Sequence, residues 1–537
     1  MKSSDIILSI FIALLLALPA GYEPNHFAKA LFCGSFLQSL AYSFILILFF
    51  RRRAFLKRAT FTLAYILFGL ESFLFFYFGS RFDPNILTLI LQTSGNEIKE
   101  FVSVYLITPS TLAFCTIFVL LYFITYHIID RITIVKWEKY RAQSWLPKAV
   151  ILLFIVIGLF IHYIPLPCPI GENSINRLAT SIGFVVDRHA EIEKIKVAID
   201  DIVITESPKE EEAPIIVLVI GESFNKYHSS LYGYHLPTSP SLEKELVSNN
   251  LTCYSNAISP TNGTDFAMRF IFTLKGCETN DSIGLRSFVP MPAVFKRANY
   301  KVAYFDNQYT RSLGGSLDYS CGYFLNPSYI NDNCFDFRNN EIYKYDGDFI
   351  DRYCADLLKE PKSFNIIHLK GQHFDAALRF PDSFAVFKKE NIKRADLNDK
   401  ERQRVADYDN ATLYNDYVLS KILNEFREKS AVIVYLSDHG EHIYDGGKQY
   451  YGRGFGTKHE EETIKAVYEV PFMIWCSDSF INKNPSTYQK IREAIKRPIC
   501  TADLPYLLFD IAEIEFNHQD KTKSIINSEF KPHEVIF

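Results

Sequence analysis

Between Ala431 and His442 the chain reads Ala-Val-Ile-Val-Tyr-Leu-Ser-Asp-His-Gly-Glu-His. An apolar, β-branched run stops abruptly on Asp438 and His439. The pattern suits a buried parallel strand that delivers two ligand side chains at its carboxyl end, where open α/β sheets place their sites. A carboxylate beside an imidazole suits zinc, a borderline-soft ion that accepts both oxygen and nitrogen. A second apolar run, 215–220, ends in Gly221-Glu222-Ser223. There glycine would let the chain turn sharply and Glu222 would emerge at the strand end. An exposed loop glutamate is the plainer alternative. Ser223 does not sit in a Gly-x-Ser-x-Gly nucleophile elbow, because Asn225 holds the last glycine position.

A third segment, Ile258-Ser259-Pro260-Thr261-Asn262-Gly263-Thr264, leads into a helical pattern from Asp265 to Leu274. Pro, Asn and Gly force a turn, so Thr264 falls at or near a helix amino terminus. A hydroxyl there can be an ordinary N-cap. It can equally be a nucleophile whose developing negative charge is stabilised by the helix dipole and a metal. Thr261 is the nearby competitor. The fourth segment, Ile367-His368-Leu369-Lys370-Gly371-Gln372-His373, places His373 past a strand end, whereas the ring of His368 should pack under the sheet edge. A Gly-rich loop from Gly446 to Gly456 precedes His459, which could contact substrate, bind a second metal or lie on the surface.

These residues need a scaffold. From Pro214 onward apolar strand runs alternate with helical patterns, which argues for a mainly parallel sheet covered on both faces. Runs 215–220, 301–305, 364–368 and 431–436 are the clearest strands. Residues 169–213 read as a bridge that ends in the acidic tether Glu206 to Glu212. Before it, apolar stretches at 5–21, 31–50, 60–80, 104–127 and 148–167 are long enough, or nearly so, to cross a bilayer. The first could also be a secretory signal. Arg51, Arg52, Arg53, Lys57 and Arg58 lie together between the second and third stretches, and Arg131, Lys136, Lys139 and Arg141 follow the fourth. By the positive-inside rule both loops are cytoplasmic, so everything after Pro167 lies outside.

The chain has 537 residues, 48% of them hydrophobic, and a formal net charge of −4. That is long enough for two or three domains and gives no sign of nucleic-acid binding. Cys168, Cys253, Cys277, Cys321, Cys334, Cys354, Cys476 and Cys500 form an even set in the outer part, as an oxidising compartment allows. Cys321 and Cys334, flanking a Gly/Asn/Pro/Asp-rich loop, are the expected disulfide. The absence of Cys-x-x-Cys argues against a thiolate zinc site.

Taken together, the five-span anchor, Gly221-Glu222-Ser223 followed by Ser230-Leu231-Tyr232-Gly233-Tyr234, the Thr264 turn, His368 to His373 and Ser437-Asp438-His439-Gly440-Glu441 resemble the bacterial phosphoethanolamine transferases. These are inner-membrane enzymes of the sulfatase/alkaline-phosphatase superfamily. The resemblance implies a five-span helical membrane domain (1–168), a bridging helix and linker (169–213) and a periplasmic α/β catalytic domain (214–537). It implies that Glu222, Thr264, Asp438 and His439 hold one zinc, and that Thr264 carries phosphoethanolamine covalently. His373, and with it His459, would bind a second metal or the substrate phosphate. Family members contact the lipid head group through an Asn-x-x-x-Thr-x-x-x-Glu helix; Thr93 and Glu97 fit, but Leu89 stands at the Asn position. They also place Gly-His-Gly where this chain has Gly452-Arg453-Gly454, so Arg453 would meet phosphate or His459 would supply the imidazole.

The implied reaction takes phosphoethanolamine from phosphatidylethanolamine to lipopolysaccharide (lipid A or core) or another envelope glycan, at the membrane surface. Two alternatives stand beside it: a glycerol-phosphate transferase of the lipoteichoic-acid-synthase type, and a membrane-anchored scaffold with a degenerate site. An arylsulfatase is disfavoured, because no Cys-x-Pro-x-Arg or Ser-x-Pro-x-Arg sequence occurs for making formylglycine.

Overall fold

The computed structural model describes residues 3–22, 28–50, 53–78, 81–82, 86–87, 102, 106–134, 173–277, 281–309, 323–447, 451–453 and 461–532. These fall into two compact units, one up to Arg188 and the other from His189 on.

The first unit is helical: α1 (Ser3–Ala17), α2 (Ala28–Phe49), α3 (Ala54–Phe78), α4 (Pro109–Ile134) and the start of α5 (Ser174–Asp200). Leu8, Ile12 and Leu16 of α1 pack with Phe61, Ala64 and Tyr65 of α3. Leu63, Ile66 and Phe76 of α3 and Ile117, Leu120 and Phe123 of α4 stay exposed. Large apolar side chains on an outer face suit hydrocarbon better than water. Among the described residues three helices are long and apolar enough to cross a membrane: Phe32–Phe49, Ala54–Tyr77 and Pro109–Ile128. The apolar segment Asp5–Gly21 is shorter, and the stretch expected at 148–167 lies outside the described residues. Five spans are therefore not established.

Polar side chains stitch α5 into this unit. Glu71 of α3 is 1% exposed and takes both its oxygens to Arg177 Nη2, at 2.7 Å each. Asn173 and Asn176 each donate to Gln38 Oε1 at 2.8 Å. Buried charge survives only when paired, which is why the two ions are found together.

The second unit is built on a seven-stranded sheet. Its strands are β1 (Ile215–Gly221), β2 (Leu251–Tyr254), β3 (Lys301–Asp306), β4 (Phe337–Arg338), β5 (Ser363–His368), β6 (Ala431–Ser437) and β7 (Phe472–Cys476), in the spatial order β2-β7-β6-β1-β5-β3-β4. The sheet is mixed. β6, β1, β5, β3 and β4 run parallel, while β7 pairs antiparallel with both β6 and β2. Every residue of β1, β5 and β6 is buried, as a sheet covered on both faces requires. One face carries Ile216, Leu218, Val432 and Val434 against Phe272, Phe295 and Leu508. The other carries Val217, Val219, Ile433 and Tyr435 against Tyr408, Val418 and Ile422 of the long helix α7 (Asp399–Phe426), with a shorter helix, α6 (Thr264–Phe272), preceding it in the chain.

Two expectations change here. Cys334 is a free, fully buried thiol, so no bridge to Cys321 forms; Cys321 itself lies outside the described residues. Gly221 does not make the sharp turn, because it is the last residue of β1. A Cβ there would lie 2.2 Å from the Tyr435 hydroxyl. The left-handed turn falls two residues later, on Ser223, with φ 57°.

Candidate active site

Register brings the site together. Gly221 pairs with Ser437 and Ile220 with His368, so the carboxyl ends of β1, β6 and β5 lie level and adjacent. Glu222 leaves β1 exactly where Asp438 leaves β6. The turn at Ser223 is fixed by Ser223 N donating to Asp438 Oδ1 (3.1 Å), Phe224 N to Ser437 Oγ (2.9 Å) and the Tyr408 hydroxyl to Ser223 O (2.6 Å). Ser223 Oγ donates to Glu222 Oε1 at 2.7 Å. Its hydroxyl orients a carboxylate and is not presented as a nucleophile.

Thr264 is the first residue of α6, whose N-cap is Gly263 with no side-chain capping bond. The hydroxyl is therefore not engaged as a cap. It lies 3.1 Å from Glu222 Oε2 and 3.3 Å from His439 Nε2. Thr261 Oγ1 instead accepts from Gly263 N within the turn (3.4 Å). His439 Nε2 is 3.2 Å from both Glu222 Oε1 and Asp438 Oδ2. Its other nitrogen, Nδ1, donates to Gly440 O at 2.8 Å, the tautomer that leaves Nε2 with a lone pair.

Glu222, Asp438 and His439 are fully buried, and ligand atoms of all three lie within 4.8 Å of one another. Among the described residues Asp438 Oδ2 receives no hydrogen bond. A buried carboxylate oxygen without a donor, beside an imidazole lone pair, a second carboxylate and a hydroxyl, is a donor set that fits zinc. The electrostatics agree. Burial opposes ionisation of Glu222, yet the hydrogen bond and charge of His439, with further help from His373 and Arg453, hold it well below the usual carboxylate range. Burial and the Glu222 charge push Asp438 up to about 6. Burial works against the His439 imidazolium, but Asp438 and Glu222 outweigh it and raise its pKa.

Several contributors were not anticipated. Gln308, just past β3, donates from Nε2 to Glu222 Oε2 (3.1 Å) and Leu369 O (2.8 Å), and lies 2.9 Å from His368 Nε2. His368 Nδ1 in turn meets Asp306 Oδ1 at 3.1 Å. The ring of His368 is buried as expected, but within a chain Asp306–His368–Gln308–Glu222 that orients a ligand. Nothing in its residue type marks Gln308 in the sequence, because its role depends on partners that only the fold brings beside it. Glu441, fully buried, is pushed up to about 7 by burial.

The charge of His373 helps to lower Glu222. Its Nδ1 donates to Phe374 O (2.9 Å), and Arg379 Nε donates to its carbonyl (2.9 Å). Gly371, at φ +50°, lets this loop pass the Glu222 backbone, which a Cβ would meet at 2.8 Å. Arg453 Nη1 sits 2.8 Å from His439 Nε2. His459, Thr93 and Glu97 lie outside the described residues, as does Leu89.

Comparison with known proteins identifies the family. Residues 214–514 match the sulfatase family. Phosphoethanolamine transferase EptC of Escherichia coli (strain RS218) is 25% identical over 492 residues, covering 84% of this chain and 79% of the relative. The crystal structure of the C-terminal periplasmic domain of E. coli EptC in complex with Zn is 26% identical, with a TM-score of 0.51, covering 61% of this chain and 90% of that one. The integral membrane phosphoethanolamine transferase EptA of Neisseria meningitidis shares the fold at a TM-score of 0.63 and 16% identity, covering 98% of both chains. The chain belongs to the sulfatase family, and these relatives within it are phosphoethanolamine transferases.

Proposed function

We propose that this protein transfers phosphoethanolamine from phosphatidylethanolamine to lipopolysaccharide, at lipid A or the core, through a covalent phosphothreonine on Thr264. The supporting observation is the convergence of Glu222, Thr264, Asp438 and His439 from three separate segments on one buried point. These four would hold one zinc ion, and His373 would face a second ion or the phosphoryl group. A bound zinc would supply Lewis acidity, lowering the pKa of an oxygen ligand by several units.

The chain's own groups set up the transfer. Glu222 accepts the Thr264 hydroxyl and fixes its torsion, which leaves oxygen lone pairs for phosphorus. Thr264 also stands at the amino terminus of α6, where the helix dipole favours the negative charge that builds on phosphoryl oxygens. His373 and Arg453 bring positive charge to the same oxygens. The Thr264 oxygen bonds to phosphorus as the phosphorus–oxygen bond to the glycerol breaks, and the threonine proton ends on the leaving oxygen, which releases diacylglycerol. An acceptor hydroxyl or phosphate then takes the phosphoethanolamine and returns Thr264 to its resting form. Both lipids are delivered at a membrane surface, which accounts for the apolar helices of the first unit. On the positive-inside reading the second unit lies in the periplasm, with Thr93 and Glu97 near the donor head group.

Thr264→Ala tests this directly. Transfer to lipopolysaccharide falls at least a thousandfold, as for loss of a covalent nucleophile, while the melting temperature stays within a few degrees. Tryptic mass spectrometry of wild-type protein quenched with donor alone finds one phosphoethanolamine on the Thr264 peptide. An adduct on Thr261 or Ser223, or a fully active T264A, contradicts the proposal.

A further inference from the structure

Arg453 stands where the family pattern calls for histidine, and its contacts give it a role of its own. Its Nη1 is 2.8 Å from His439 Nε2 and 3.5 Å from Asn262 O in the turn that carries Thr264, and its Nε is 3.6 Å from Glu441 Oε2. A guanidinium has donors and no acceptor, so it can only donate to Nε2. His439 Nδ1 donates to Gly440 O. Hence the Nε2 lone pair is the one His439 atom able to bind a metal, and Arg453 already uses it. Two buried carboxylates, Glu222 and Asp438, surround the same point and need a cation.

We propose that Arg453 is the resident counter-cation of the metal site: a metal ion displaces it from His439, and Glu441 then retains it beside the site, where it meets the phosphoryl group. The inference rests on the metal-site reading above. A divalent ion and a guanidinium cannot share one lone pair, and like charges repel at that distance. Glu441 is buried and already beside the guanidinium, so displacement need not carry Arg453 away from the site. The consequence is an obligatory order, metal first and phosphoryl donor second, because only the loaded enzyme has its arginine available.

Zinc affinity of the full-length protein in detergent, measured by chelator competition, tests this without any activity assay. R453A and R453Q are each expected to bind zinc about tenfold more tightly than wild type, the effect of releasing one charge-assisted hydrogen bond. An arginine that merely supports the loop gives the opposite sign, so unchanged or weaker zinc binding in both variants overturns the proposal. Thermal shift supplies the second readout. Inorganic phosphate should raise the melting temperature of zinc-loaded wild type, and do so less for zinc-loaded R453A and for metal-free wild type. Equal stabilisation of all three refutes the binding order. If E222A or D438N binds zinc as tightly as wild type, the metal site itself is wrong, and that failure is distinguishable from a failure of the arginine proposal.

Discussion

Replacing Gly221 by Ala should strain the sheet at the edge of the site. The added Cβ would lie 2.2 Å from the Tyr435 hydroxyl oxygen, 2.8 Å from Cζ and 3.1 Å from Cε2. Ordinary contact needs about 3.5 Å, so ring and strand must separate by roughly 1 Å. Tyr435 is fully enclosed and its hydroxyl accepts from Asn415 Nδ2 at 3.1 Å, which leaves it little room to retreat. Overpacking of this kind costs about 1–3 kcal/mol. The adjacent residue is Glu222, so a shift of the strand also misplaces a ligand, and a displacement near 1 Å costs about a hundredfold in rate. Tyr435→Phe removes the nearest atom, at about 1 kcal/mol for the lost hydrogen bond. The double variant should be less destabilised than the sum of the singles by at least ~1 kcal/mol. Thermal unfolding of the full-length protein in detergent, with transfer assayed in parallel, reads both effects. Wild-type stability and rate in G221A, or strict additivity in the double variant, would refute the reasoning.

Gln308→Leu deprives Glu222 and His368 of their shared donor, and zinc affinity should fall about 10- to 100-fold with the fold retained, as chelator competition will read. Glu71→Ala leaves the Arg177 guanidinium buried without its carboxylate and should cost about 3–5 kcal/mol; adding Arg177→Met should recover most of the lost thermal stability. Burial raises Glu441 from 4.5 to about 7, so between those values the folded, metal-free protein holds a proton that the unfolded chain has released. Its stability should therefore fall as pH rises through this window, by about 3 kcal/mol in all, and melting curves of E441Q taken in chelator should be flatter over the same range.

What the sequence disclosed follows from what side-chain pattern encodes. A β-branched run that stops on Asp438 reports a buried strand and its end, and the same logic exposes Glu222. Pro260, Asn262 and Gly263 report the turn that starts α6 at Thr264. Strand direction leaves no such trace: Phe472–Cys476 is as apolar as the parallel strands, yet runs against them. Gly221 was legible as special but for the wrong reason, since its constraint is Tyr435, distant in sequence and adjacent only through register. Gln308 was missed because an amide after a strand has no distinctive type; its role exists only once His368 and Glu222 flank it. Cys334 shows the reverse error, a loop-flanking cysteine that folds into the core as a free thiol. Hydropathy located the helices Ala28–Phe49, Ala54–Phe78 and Pro109–Ile134, shifted by a few residues from the apolar stretches that signalled them.

Anomalous scattering at the zinc edge, from crystals of the full-length protein grown with zinc, bears on the central claim most directly. A peak enclosed by the side chains of Glu222, Thr264, Asp438 and His439, and missing from crystals of D438N, is the expected result. A peak elsewhere, or density at that point that persists without Asp438, would contradict the account.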